Sequence, residues 1–197
     1  EKLDRLARHI QLVTHKDTDV GIFEMLQLDL TRYPINHSLR AAFLATLVPR
    51  RFNLSEADRT SLSCAALTMN ISMLDFQATL TSQTTPITTE QKAEIQRHPT
   101  EGRLALERAG VTDRNCLDAV EQHHETPDGK GYPFGKSPTE LAYVIHHIDV
   151  YLAKLSPGAT RRPLPSNKAA HEFLLSKGGV KNPITASIIK EFGIYPP

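Results

Sequence analysis

Nine histidines stand in this chain of 197 residues, and their placement is the feature that could do chemistry. His37, His98, His123 and His124 each fall at the start or end of a predicted helix. Asp149 lies inside a long one, beside His146 and His147. Neutral imidazole binds first-row cations well, and helix ends converging on one point are a common way for a helical bundle to build a metal site. A single histidine is more often a surface or hydrogen-bonded residue, and the adjacent pair His123-His124 improves the case for ligation only modestly.

The segment His123-His124-Glu125-Thr126-Pro127-Asp128-Gly129-Lys130-Gly131-Tyr132-Pro133 says more. It resembles the HHExxDGxGYP signature of the HD-GYP family, phosphohydrolases that degrade cyclic di-GMP. Asn36 to Arg40 is similar to the family's first histidine segment, Arg97-His98-Pro99 to its mid-domain histidine, and Ile148 to Tyr151 to its late aspartate. Gly193 to Pro197 is similar to its C-terminal border. The resemblance runs from about Ile22 to the end, more loosely after Leu155. It implies an all-α fold, an HD-domain helical bundle of HD-GYP type.

Carried over by position, the family's metal ligands are His37, the pair Met69-Asn70, His98, His123, His124 and Asp149. The family's HDIGK segment reads Met69-Asn70-Ile71-Ser72-Met73 here, so the defining His-Asp pair and the following lysine are all replaced. Tyr33 stands where some members place a glutamate for a third metal. Hydrolysis of this type uses two cations roughly 3.5–4 Å apart. Two dications at about 4 Å repel by roughly 16 kcal/mol at an effective dielectric of 20. A bridging carboxylate offsets much of that; Asn70 carries no charge, and the soft thioether of Met69 is a poor substitute for imidazole. The expectation is therefore no catalytic residue at Met69, Asn70 or Met73, and no dinuclear centre. A single divalent metal (Fe, Mn or Zn) held by His98, His123, His124 and Asn70 remains open, with His37 and Asp149 as remnants of the other position. The alternative is no cofactor, with the histidines hydrogen-bonded in a polar pocket. Met69 and Met73, four apart, are expected on one helical face as apolar packing, and His146 is a candidate replacement ligand.

The loop Asp128, Gly129, Lys130, Gly131, Tyr132 and Pro133 borders substrate in the family and is linked to diguanylate cyclase domains. Its retention fits a loop that still binds a ligand or partner; a sharp turn needing glycine and a packing tyrosine are the plainer reading. Lys130, Arg161 and Arg162 are candidate phosphate contacts, arginine being suited to bidentate binding. The resemblance thus implies a non-hydrolysing ligand-binding or interaction module in bacterial cyclic di-GMP signalling. The alternative is a residual phosphodiesterase working with one metal.

The elements that must position these residues read as helices throughout, with strand alternation nearly absent. Apolar stripes run over Leu3, Leu6, Ile10 and Val13, between Val20 and Leu30, and from His37 to Arg50. Ser55 caps a helix running towards Asn70, Ser72 to Thr79 is a shorter helix, and Thr81 to Thr89 is a loop. Thr89 is expected to cap a helix to about Gln96, after which His98-Pro99 forces a bend. Further helices are expected over 99–109, 113–124, 138–155, 166–176 and 183–192. One domain over 1–197 is the expectation, residues 1–20 forming a helix that links to, or pairs for, a missing upstream region, with packing of its apolar stripe on its own domain the plainer reading. The first residue is Glu1, so an upstream sensor or receiver domain is expected. Charged residues make up 23 % and the net charge is +1, with both signs interleaved, which gives nucleic acid no basic patch. No run approaches the ~18 apolar residues of a membrane span. Cys64 and Cys116 form no paired motif and read as small core residues, in keeping with a cytoplasmic location.

Overall fold

The computed structural model describes residues 2–18, 33–48, 52, 54–156, 164, 166–176 and 182–192. Arg161, Arg162, the stripe between Val20 and Leu30 and the segment Gly193 to Pro197 lie outside them. Among the described residues the chain is all-α: α1 (Lys2–Lys16), α2 (Tyr33–Leu47), α3 (Glu56–Thr68), a 3₁₀ turn (Ile71–Met73), α4 (Leu74–Ser82), α5 (Thr89–Arg108), α6 (Arg114–Gln122), α7 (Glu140–Leu155), α8 (Ser166–Ser176) and α9 (Pro183–Phe192).

The centre is the α2–α3 pair. Ala41, Ala42 and Ala45 on α2 and Cys64, Ala65 and Ala66 on α3 are all buried, and side chains this small let two helices approach closely. Leu44, Leu47 and Leu62 fill the space around that seam, each contributing about 1.5–3 kcal/mol by leaving water. Helix α7 lays Val144, Ile145, Ile148 and Leu152 into the same core, and α6 packs against α3, α5 and α7. Arg103 on α5 clamps α6 by bonding both Asp118 and Glu121. Cys64 and Cys116 are buried free thiols, and burial pushes Cys64 up to about 12.

Three sequence expectations need correction. On α1 the inward line is Leu3, Ala7, Ile10 and Thr14, while Leu6 and Val13 are exposed; the helix packs on α2 and α3 of its own chain, in line with the plainer reading of its stripe. The helix carrying His37 begins at Tyr33, where Pro34 in the first turn costs no hydrogen bond. Most importantly, α5 does not break at His98-Pro99. It starts from a capping box between Thr88 and Gln91 and runs unbroken through Pro99 to Arg108.

Candidate functional site

Pro99 has no N–H, so the Ile95 carbonyl four residues earlier loses its helical donor. His98 supplies the replacement: its Nδ1 lies 2.6 Å from the Ile95 oxygen. A carbonyl only accepts, so Nδ1 carries the proton and Nε2 is left with a lone pair in the neutral ring. The proline thus frees the acceptor that fixes its neighbour's tautomer.

His123 is set the same way at the end of α6, where the last carbonyls lack intrahelical partners. Its Nδ1 donates to the Val120 oxygen at 2.6 Å. His146 on α7 donates from Nδ1 to the His123 carbonyl at 2.8 Å, holding that helix end against α7. His146 is therefore placed as a support for His123, outside the ligand cluster that sequence reasoning weighed it for.

The two preset rings face each other, Nε2 to Nε2, at 3.1 Å. With both Nδ1 atoms already donors, a hydrogen bond between these nitrogens would require an imidazolium. Burial opposes that: it holds His98 below its ordinary value and, with His98 adding repulsion, pushes His123 down to about 3. Near neutral pH two lone pairs converge, and the group that satisfies both is an electron-pair acceptor. Ring nitrogens of His98, His123 and His124 lie within 4.8 Å of one another. Burial, followed by the neighbouring His123, takes His124 well below its ordinary value too. Three neutral imidazoles, two of them with tautomers fixed by backbone carbonyls, fit a divalent cation.

Glu125, the third residue of the HHE run, never faces this site. Its fully buried carboxylate accepts from the backbone N–H groups of Phe134 (2.6 Å), Gly135 (3.1 Å) and Lys136 (3.0 Å), so it pins the following loop from inside. Sequence reasoning assigned it no role, although an acid directly before a Gly- and Pro-rich loop is the signal for such an anchor. The loop folds back so tightly that a Cβ on Gly131 would lie 2.4 Å from the His124 oxygen, and Gly129 adopts φ +70°. Tyr132 is carried onto the His124 ring, stacked with centroids 4.6 Å apart. Asp128 instead faces outward and pairs with exposed Lys130 at 3.1 Å; the Thr126 hydroxyl, then Lys130, hold its carboxyl at about 2. Of the loop residues singled out from sequence, only Tyr132 borders the cleft described below.

The other metal position of the family is built differently. His37 on α2 and Asp149 on α7, 112 residues apart, meet directly through Nε2 and Oδ1 at 2.8 Å. Burial would raise the Asp149 carboxyl, but the His37 hydrogen bond and charge outweigh it and hold it below the usual carboxylate range. Met69 is fully buried in the core cluster. Met73 borders the cleft, so the two methionines do not share one face. The chain leaves α-helical geometry after Thr68, and the 3₁₀ turn re-aims Met73.

The cleft beside these groups holds about 600 Å³, within the range of small-molecule sites. Asn70, Met73, His98, His124, Tyr132 and Asp149 form its floor; Gln77, Leu80, Gln83, Pro86 and Ile87 form a wall. That wall is tied by reciprocal amide bonds between Gln83 and Gln91. Asp149 is the one formally charged residue among the described residues that line it.

Comparison with known proteins adds the family. Residues 24–144 match the HD domain family. A cyclic di-GMP phosphodiesterase of Pseudomonas aeruginosa is 23 % identical over 167 residues, 83 % of this chain and 40 % of that protein. A probable cyclic di-GMP phosphodiesterase of Vibrio cholerae is 25 % identical over 195 residues, 88 % of this chain and 44 % of that one. A 3'3'-cGAMP-specific phosphodiesterase of Vibrio cholerae is 26 % identical over 140 residues, 70 % of this chain and 30 % of its own length. The chain thus spans less than half of each of these relatives. Among solved structures, an HDG"Y"P protein from Bdellovibrio bacteriovorus matches with a TM-score of 0.76 at 14 % identity, over 95 % of this chain and 62 % of that one. That likeness shows the fold. No helix among the described residues is long and apolar enough to cross a membrane.

Proposed function

The chain belongs to the HD domain family, as an HD-GYP member of it, and from that premise we propose that it is a non-hydrolysing signalling module that receives a cyclic dinucleotide in its cleft. The observation that carries this reading is the altered donor set at one metal position: Met69 lies in the core and offers only a thioether, and Asn70 supplies no charge, beside the contact of His37 with Asp149 at 2.8 Å. Two-cation hydrolysis of a phosphodiester requires both positions, one to activate water and the other to stabilise the leaving oxygen. The described cleft residues offer no substitute. None is a lysine or arginine that would meet charge developing on phosphorus, and the Asp149 carboxylate is held by His37 and so is poorly placed to act as a base.

What remains suits binding. The pinned loop presents Tyr132 and His124 as a stacked aromatic surface at the cleft floor, and the Gln83–Gln91 amide pair holds the opposite wall. A single cation held by His98, His123 and His124 would supply a Lewis acid for one phosphate oxygen. Cyclic di-GMP is the first ligand to test because relatives are named for it; a diguanylate cyclase domain on the exposed loop, and an upstream sensor domain, are the partners proposed with it.

The test is incubation of the purified chain with cyclic di-GMP and Mn²⁺ or Fe²⁺, alongside a binding titration. Saturable binding without turnover above background is expected. Turnover that disappears in His123→Ala and His124→Ala would overturn the reading in favour of a one-metal phosphodiesterase, the alternative that the converging imidazoles support.

A further inference from the structure

We infer that the His98, His123 and His124 cluster selects a borderline divalent cation of the zinc class and discriminates against Mn²⁺ and Mg²⁺; this rests on the one-cation reading above.

The donor set is the reason. All three candidate ligand atoms are imidazole nitrogens, and the cluster contains no carboxylate. Hard cations shed water reluctantly and favour carboxylate, carbonyl and water oxygen; imidazole suits zinc, copper, iron and nickel. The one carboxylate in the cleft, Asp149, is engaged by His37 at 2.8 Å. Asn70, at the family's bridging-aspartate position, borders the same cleft with an uncharged amide. A Mn²⁺ or Mg²⁺ ion would therefore exchange water oxygens for neutral nitrogens, with Asp149, already shared with His37, the one anion among the described cleft residues.

Geometry points the same way. Two of the nitrogens stand 3.1 Å apart. In a tetrahedron with Zn–N of 2.0–2.1 Å, neighbouring ligand atoms are roughly 3.3–3.4 Å apart, so this edge needs only a few tenths of an ångström of adjustment. Both rings already have Nδ1 bonded to a backbone carbonyl, Ile95 for His98 and Val120 for His123. No tautomer or ring flip has to be reorganised on binding. Asn70, the other residue that the family's pattern assigns to this position, has no ring nitrogen to add, which leaves the set at three nitrogens and an open place.

The experiment is a competitive metal titration of the metal-free chain with Zn²⁺, Co²⁺, Mn²⁺ and Mg²⁺, read by calorimetry and native mass spectrometry with folding followed by circular dichroism. One Zn²⁺ per chain is expected, with a dissociation constant at least about a thousandfold below that of Mn²⁺, in the direction of the affinity series for nitrogen sites. Co²⁺ should give the intense visible bands of a four- or five-coordinate ion, and these should vanish in His98→Ala. Asn70→Asp, which returns an anion to the cleft, should narrow the Zn²⁺ to Mn²⁺ ratio at least about tenfold by strengthening Mn²⁺. One Mn²⁺ bound within tenfold of Zn²⁺, an Asn70→Asp ratio that does not move, or a folded chain that binds neither ion would overturn the inference while leaving a non-hydrolysing domain intact. Two Zn²⁺ per chain would instead overturn the one-cation reading, and this inference with it.

Discussion

The two halves of what is a bimetallic centre in the family have met opposite ends here. In one, His98, His123 and His124 remain together, the tautomers of His98 and His123 are set by Ile95 and Val120, and two lone pairs face each other at 3.1 Å. In the other, His37 and Asp149 satisfy each other at 2.8 Å and Met69 has joined the core. The difference teaches how a site loses a cation. Donors of opposite charge close on one another when the ion's other ligands go, because a carboxylate and an imidazole make a good pair. Imidazoles with fixed tautomers have no such escape, since each offers only a lone pair. The second half is therefore self-sufficient and the first still calls for a cation.

The comparison breaks most visibly if the support under the first half is removed. Glu125→Ala orphans three backbone N–H groups inside the protein and should cost about 5 kcal/mol in urea unfolding. Glu125→Gln, which keeps one acceptor oxygen, should cost clearly less. A loss below about 1 kcal/mol in Glu125→Ala would mean the loop is not held from inside.

Next come the halves themselves. His123→Ala should weaken Zn²⁺ binding by about a thousandfold, because it removes one of three ligands, while His37→Ala should change it less than about threefold. Equal losses would erase the distinction drawn here.

Acid should separate the halves by pH window. In the unfolded chain an imidazole takes up a proton near 6.5, whereas folded His123 resists until about 3. The unfolded state then binds more protons, so metal-free stability is full above pH ~6.5 and falls below it. By pH 4 the loss from His123 alone is about 3 kcal/mol, and His98 and His124 shift in the same direction. The Asp149 carboxylate, held below its usual range, contributes stability that persists until far lower pH. Thermal melts of wild type and His123→Gln between pH 7 and 4 check this; parallel curves would argue against neutral, buried imidazoles.

The smallest effect sharpens the other half. The double change Met69→His with Asn70→Asp restores the family's residues, but it puts a polar ring where a fully buried methionine packs. It should cost about 2 kcal/mol without metal. A second bound ion is expected only when the His37–Asp149 pair opens, which weak second-site binding in a calorimetric titration would register.

Helix positions were legible in the sequence because caps and periodicity are local: Ser55 caps the helix that follows as expected, and the cap expected at Thr89 lies one residue earlier, at Thr88. The proline in α5 misled, since a break is the usual reading and the rescue of the Ile95 carbonyl by His98 depends on a side chain. The donors of the three-histidine cluster were recognisable from their motif. The closure of His37 on Asp149 was not, because residues 112 apart meet only through the packing of α2 on α7. The separation of Met69 from Met73 was hidden for a related reason, as helical spacing stops applying where the chain turns at Asn70.

Anomalous scattering from crystals grown with Zn²⁺ addresses the contrast between the two halves most directly. A single peak among His98, His123 and His124, with none between His37 and Asp149, is the expected result. Two peaks roughly 3.5–4 Å apart, the spacing of a working two-metal centre, would contradict it.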